Sequence, residues 1–261
     1  MSDLAGKTLF VSGGSQGIGL AVARRLASNG ANVFLAASDA ERLAAAADGI
    51  ARDYGVNVAW SASDLRDLAN CEAAAQQALE RFEACDILVN AAGATKGGLF
   101  PDQPDADMVD GFALKFYAAV RLSRALWPAL TASNGTVINI VGGFARTPAA
   151  DFMVGGAVNA ALANFTKALA EQGLRDDVNV NWIHPGLTVT ERLQRIFADR
   201  AAQQQTSPEE IECAALASEG LRRLGQPEDV ANLVAYLCSP EARHIHGTGI
   251  SVDGGGSRGY Y

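Results

Sequence analysis

The sequence predicts a single doubly wound α/β domain, with a parallel seven-stranded sheet covered by helices on both faces. Three observations predict it. Short apolar runs alternate with longer helical patterns along the whole chain, which implies parallel pairing through right-handed crossovers. The runs are continuously apolar rather than alternating, as strands buried on both faces require. The 261 residues, 49% hydrophobic and 19% charged, suffice for one well-filled core without disulfides or metal.

The elements run in order along the chain. Thr8 to Val11 is a buried strand that ends in a glycine turn. Ile18 to Ser28 is a helix with Gly30 just past its end. Asn32 to Ala37 is the second strand, and alanine-rich Ala40 to Tyr54 is helical. Val56 to Ser61 and Asp86 to Asn90 are the third and fourth strands, on either side of a helix from Leu65 to Phe82. A long helix spans Ala106 to Leu130, and Thr136 to Val141 is the fifth strand. A helix from Gly156 to Glu171 leads to a sixth strand, Val178 to Ile183. Glu191 to Leu221 reads as helix within an insertion over 188–224. Pro227 to Leu237 is a further helix and Gly249 to Val252 a last strand. The chain 1–261 carries no linker, repeat or low-complexity tract, so it is read as one domain.

Composition excludes several functions. A net charge of −8 with no basic stripe argues against nucleic acid as a partner. Cys71, Cys85, Cys213 and Cys238 form no C-x-x-C pair and no ligand spacing with His184, His244 or His246, so no metal site is expected. The cysteines read as reduced thiols, and His244 and His246 as surface-loop residues. The first residues have no basic and apolar leader pattern, and no apolar run reaches a spanning length. A cytoplasmic location and no membrane contact are expected.

Ser12-Gly13-Gly14-Ser15-Gln16-Gly17-Ile18-Gly19 follows the first strand and opens the first helix. In this context glycines let backbone N–H groups approach a phosphate, and the helix N-terminus adds positive potential. The run resembles the T-G-x-x-x-G-I-G signature of the short-chain dehydrogenase/reductase family, with Ser12 for Thr. Other segments match that family in order: Asp64-Leu65, Asn90-Ala91-Ala92-Gly93, Pro185-Gly186 with Thr188 and Thr190, the segment from Gly225 to Ala231, and the stretches Gly247–Gly249 and Val252–Gly255.

The resemblance implies a Rossmann fold that binds NAD or NADP. The implied dinucleotide contacts are Gly13, Ser15, Gln16, Gly17, Ile18, Gly19, Ser38, Asp64, Leu65, Asn90, Ala91, Gly93, Asn159, Pro185, Gly186, Thr188 and Thr190. The second strand ends Ala37-Ser38-Asp39. Ala37 stands where an NAD-type acid belongs, and Ser38 where many NADP-type members carry Arg. Asp39 comes late and reads as a helix N-cap. The balance tilts slightly to NAD.

The family's catalytic Asn, Ser, Tyr and Lys have no counterparts. The alignment puts Ala113 at the Asn position, Gly142 at Ser, Gly155 at Tyr and Asn159 at Lys, so no catalytic residue is assigned. No Tyr-x-x-x-Lys occurs anywhere in the chain. The pattern resembles an atypical subgroup without the tetrad. Hydride transfer would then lack its usual proton partner. Gly155 and Gly156 are expected to open the space that a tyrosine would fill. Arg146, Asp151, His184, Lys115 and Tyr117 are conceivable substitutes, each more plainly read as a surface, packing or contact residue. Arg192, Arg195, Arg200, Arg222 and Arg223 on and beside the insertion are either a lid facing an anionic substrate or a solvated face balanced by acids.

Two functions compete on this reading. One is an oxidoreductase on a carbonyl or alcohol substrate of unknown identity, with a non-standard active site. The other is an inactive nucleotide-binding subunit of an active relative, with a non-redox lyase or isomerase as a further alternative. The family implies a homodimer or tetramer through the helices after strands four and five.

Overall fold

The computed structural model describes residues 3–257. Its centre is a seven-stranded sheet of order β3-β2-β1-β4-β5-β6-β7, with every neighbouring pair parallel. The strands are β1 Thr8–Ser12, β2 Asn32–Ala37, β3 Val58–Ala62, β4 Ile87–Asn90, β5 Thr136–Ile140, β6 Asn179–Pro185 and β7 Gly249–Val252. The order reverses between β1 and β4, and a Rossmann sheet binds ligands in the crevice at the carboxyl ends of such strands. All residues of β1, β4 and β5 are buried, which is why these segments read as largely apolar runs.

The helices lie in two layers. On one face α1 Gly17–Ala27, α2 Ala40–Tyr54 and α9 Pro227–Leu237 enclose Leu9, Val11, Val33 and Leu35. On the other, α3 Leu68–Phe82, α5 Ala118–Ala132 and α6 Met153–Asp176 cover Phe10, Phe34, Leu88 and Val137. Phe10 and Phe34 stack with ring centroids 5.2 Å apart.

Three expectations are corrected. The helix expected over 106–130 is broken: α4 Asp105–Gly111 runs into a π-helical turn, Phe112–Tyr117, before α5 begins. A single π turn of this kind adds a residue to the helix and rotates the residues beyond it. The helix expected over 191–221 is two helices, α7 Glu191–Gln204 and α8 Pro208–Glu219. Gln205 closes α7 in the left-handed region at φ 53°, and Ser207 with Glu210 forms a capping box before Pro208. These two helices share a small core of Phe197, Ala201, Ile211 and Leu224. His246 is not a free surface residue. Its Nε2 pairs with the Ala170 carbonyl at 2.7 Å and its Nδ1 with Asn179 Oδ1 at 2.9 Å.

Among the described residues no helix is long and apolar enough to cross a membrane, and no group of acids, His and Cys could hold a metal ion. The cysteines are free. Cys71 and Cys85 are buried and Cys213 is exposed.

Candidate functional site

The glycine-rich turn lies at the carboxyl end of β1, beside the turn that follows β4. Its glycines are required by close approach. Gly13 has φ +70°, and a Cβ there would meet the Ala92 backbone at 2.9 Å. A Cβ on Gly19 would stand 2.2 Å from the Gly13 carbonyl oxygen. The two turns are tied together: Ala91 N–H donates to the Ser12 carbonyl, and Ala92 N–H to Ser12 Oγ at 3.2 Å. Helix α1 starts at Gly17 with no side-chain cap and no acid in its first turn. Its leading N–H groups and positive dipole end are therefore free for an anion. This cradle fits the diphosphate of a dinucleotide.

Other residues expected at the cofactor surround that turn in different ways. Gln16 precedes α1, and its side chain accepts a hydrogen bond from Arg42. Thr190 caps α7 by accepting from Leu193 N–H, and its methyl lies 3.3 Å from where a Gly17 Cβ would be. Thr188 Oγ1 donates to the Gly186 carbonyl. Pro185 ends β6, and Gly186 packs so closely on Asp253 that a Cβ would come within 2.8 Å. Ser38 and Asp64 are at the carboxyl ends of β2 and β3, while Leu65 is buried in the core. The Asn90 side chain turns inward. Its amide donates to Asn139 Oδ1 at 2.8 Å, Asn139 in turn donates to Thr166 Oγ1, and this relay pins β4, β5 and α6.

Asp39 is a helix cap, as its position suggested. Its carboxylate accepts from Arg42 N–H at 3.0 Å and pairs with the Arg42 guanidinium. Arg42 also reaches Glu191 at 2.7 Å. Sequence reasoning passes over Arg42, although it lies one helical turn beyond Ser38.

The neighbourhood of Gly142, Gly155 and Asn159 is filled from within the protein. A Cβ on Gly155 would stand 1.9 Å from Cε1 of Phe152. The Phe152 ring occupies the space, with Phe144 against it at a centroid distance of 4.8 Å. The expected opening at Gly155 is thus closed by an aromatic ring three residues upstream. Asn159 is buried and its amide is spoken for: Oδ1 accepts from Gly142 N–H at 2.8 Å, and Nδ2 donates to the Gly155 carbonyl at 2.7 Å. The asparagine laces β5's end to α6 instead of facing the cleft. Ala113 lies on the π turn.

The conceivable substitutes separate clearly. Asp151 pairs with Arg200 at 3.6 Å, and Arg146 donates to Ser251 Oγ. His184 is buried with Nε2 accepting from Trp182 Nε1 at 2.8 Å, and burial, followed by the charge of Arg146, holds its pKa below the ordinary value. Tyr117 is exposed under the Arg121 guanidinium. Lys115 alone turns to the cofactor side, its stem lying on Gly93. Of the insertion arginines, Arg200 and Arg223 form ion pairs with acids, whereas Arg192 donates to the Thr95 carbonyl at 2.8 Å.

Comparison with known proteins agrees with this architecture. Residues 13–257 match the family described as enoyl-(acyl carrier protein) reductase. An uncharacterised oxidoreductase of Mycobacterium tuberculosis is 34% identical over 260 residues, covering 98% of this chain and 94% of that one. The L-sorbose reductase of Gluconobacter frateurii, solved with NADPH and L-sorbose, superposes with a TM-score of 0.95 at 30% identity, covering 99% and 100% of the two chains. An NADPH-bound short-chain oxidoreductase of Pseudomonas aeruginosa, described as having an atypical catalytic center, superposes with a TM-score of 0.90 at 28% identity, covering 99% and 100%. By its profile, its relatives and its parallel sheet with a glycine-rich first turn, this chain belongs to the short-chain dehydrogenase/reductase family of oxidoreductases.

Proposed function

We propose that this protein is an NADPH-dependent oxidoreductase that works without the family's usual proton-transfer set. The observation that carries the reading is the contrast between an open cradle at Gly13–Gly19 and a closed space at Gly155, filled by the Phe152 ring. Gly13, Gly17, Gly19 and the start of α1 would hold the diphosphate, and Pro185 to Thr190 the carboxamide. A bound nicotinamide supplies the hydride. The protein's own residues orient it and exclude water, and the proton must come from a group other than residue 155.

The slight tilt to NAD at the end of β2 gives way to NADPH. Asp39 is committed to capping α2 and to Arg42, so it does not offer its carboxylate to a ribose. Arg42, which also pairs with Asp39 and Glu191, stands beside Gln16 of the glycine turn, and exchanging one of these exposed carboxylates for a 2′-phosphate would keep its guanidinium paired. The NADPH carried by the sorbose reductase and the Pseudomonas oxidoreductase supports the same choice. Self-association through α5 and α6 belongs to this reading. Exposed Tyr117 and Met153 support it, as does an apolar hollow of about 210 Å³ lined by Phe144, Pro148, Phe152 and Met153.

The test is a fluorescence titration with NADPH and NADH, followed by a panel of carbonyl compounds with NADPH oxidation monitored. Tighter binding of NADPH and oxidation with at least one carbonyl class are expected. Silence across the panel with binding confirmed overturns the oxidoreductase reading. It would favour a nucleotide-occupied inactive subunit, the alternative that the closed space at Gly155 supports, and purification from the source cell would then yield an active relative as partner.

A further inference from the structure

The cleft beside the glycine turn carries an uncompensated pair of cations. Lys115, on the π turn, lays its stem across Gly93: a Cβ on Gly93 would lie 2.9 Å from Lys115 Cδ and 3.1 Å from Cγ. Lys115 is half-buried, and its ammonium has no hydrogen bond or ion pair among the described residues. Arg192 approaches the same turn from the first turn of α7. It donates to the Thr95 carbonyl at 2.8 Å and, more weakly, to the Gly93 carbonyl at 3.4 Å. No carboxylate pairs with it among the described residues.

The acids close to these two in sequence are engaged elsewhere. Asp107 pairs with Lys96, Asp110 with Arg66, and Glu191 with Arg42. A chain with a net charge of −8 thus leaves two cations together at one turn. Burial and the charge of Arg192 push Lys115 down to about 8, the direction expected for a lysine lacking a counter-ion. Like charges held together in a cleft are unfavourable unless a ligand supplies the opposite charge. The position bears on function too, because Gly93 closes the turn after β4 and Arg192 follows Thr190, which touches Gly17.

We propose that Lys115 and Arg192 form an anion subsite in the cleft that receives a carboxylate or phosphate group of the substrate. This rests on the dinucleotide-binding reading above and adds the substrate's chemical class: a carbonyl or alcohol compound that carries an anionic group.

The test is isothermal titration of the NADP⁺-saturated protein with acetoacetate and with inorganic phosphate, for the wild type and for Lys115→Met, Arg192→Met and Lys115→Arg. The wild type is expected to bind at least one probe. Each Met variant should weaken that binding about tenfold or more, the scale of one charge-assisted hydrogen bond, and Lys115→Arg should keep most of it. NADPH affinity, measured separately, should stay within about threefold of wild type, since loss of a substrate contact leaves the cofactor's own interactions in place. Arg192 is exposed, so its variant carries the test if Lys115→Met misfolds. The proposal is overturned if neither probe binds, if the Met variants bind as well as wild type, or if they weaken NADPH equally, which would assign the pair to the cofactor's diphosphate. Failure of the wild type to bind NADPH at all would instead remove the dinucleotide reading.

Discussion

Two glycine-bearing regions of this protein omit the Cβ for opposite reasons. At Gly13 and Gly19 the missing Cβ lets backbone approach backbone, so the turn closes tightly at the start of α1. At Gly155 the missing Cβ is replaced by the protein's own Phe152 ring, and at Gly142 the nearest neighbour is the Asn159 amide at 3.0 Å. On the proposed reading the first pair of glycines shapes the cofactor cradle, whereas beside the second the protein's own side chains fill the space. A missing side chain is therefore not a vacancy until the neighbours that could enter it have been placed.

The sharpest way to break this comparison is to give each region a Cβ. Gly19→Ala would force its methyl against the Gly13 carbonyl oxygen, a backbone atom with nowhere to go. It should lower NADPH affinity by about a hundredfold or more in a fluorescence titration, on the scale of two lost charge-assisted hydrogen bonds. Gly155→Ala meets only the Phe152 ring, which can turn at a cost. Overpacking of this kind costs about 1–3 kcal/mol, so thermal unfolding should fall by roughly 2–10 °C while NADPH affinity stays near wild type. Equal loss of NADPH binding in both variants would erase the distinction between the regions.

Asn159→Leu sharpens the second half of the comparison. It leaves the part-buried Gly142 N–H and the Gly155 carbonyl without their side-chain partner, a loss of about 1 kcal/mol or more. Calorimetry should record that loss. NADPH binding should change little, whereas a clear drop would return Asn159 to the ribose contact that the family pattern implied.

A smaller effect concerns Lys115. Its pKa of about 8 lies below the ordinary lysine value of 10.5, so the folded chain holds fewer protons than the unfolded chain between those values. Stability of the ligand-free protein should rise with pH across that window relative to Lys115→Met. Anion binding has the opposite slope, because the ammonium is lost as pH rises through about 8. The charged group acting on Lys115 from the packed elements is Arg192 on α7; Asp110, on its own side of the π turn, is held by Arg66. Titrations with acetoacetate, whose carboxylate stays ionised at both pH 7 and pH 9.5, should show weaker binding at the higher pH in wild type and no change in Lys115→Met.

Much of the fold was legible because the central strands β1, β2 and β4 are nearly continuous apolar runs and most βα turns carry a glycine or a cap. The glycine turn, the Asp39 cap and the α9 boundaries were readable locally. The break between α7 and α8 was also written in the sequence, as Ser207-Pro208 with Glu210 three residues after the serine, but the helical pattern on either side masked it. The π turn was not readable, since Phe112 to Tyr117 has no Pro or Gly to mark a change of pitch. Nor was the Phe152 plug, because a ring's direction from an irregular residue before α6 depends on how the β5–α6 connection folds back to set Phe144 against it. The same limit hid Lys115, whose direction depends on how the π turn sets its stem against Gly93.

The most direct test of the central claim is a crystal structure of the protein grown with NADPH. The account predicts the diphosphate on the Gly13–Gly19 turn at the start of α1, with the Phe152 ring still packed against Gly155 and Asn159 still bonded to Gly142. A structure in which Phe152 has swung away and the ligand fills the space beside Gly155 would contradict it, as would one in which saturating NADPH leaves the turn empty.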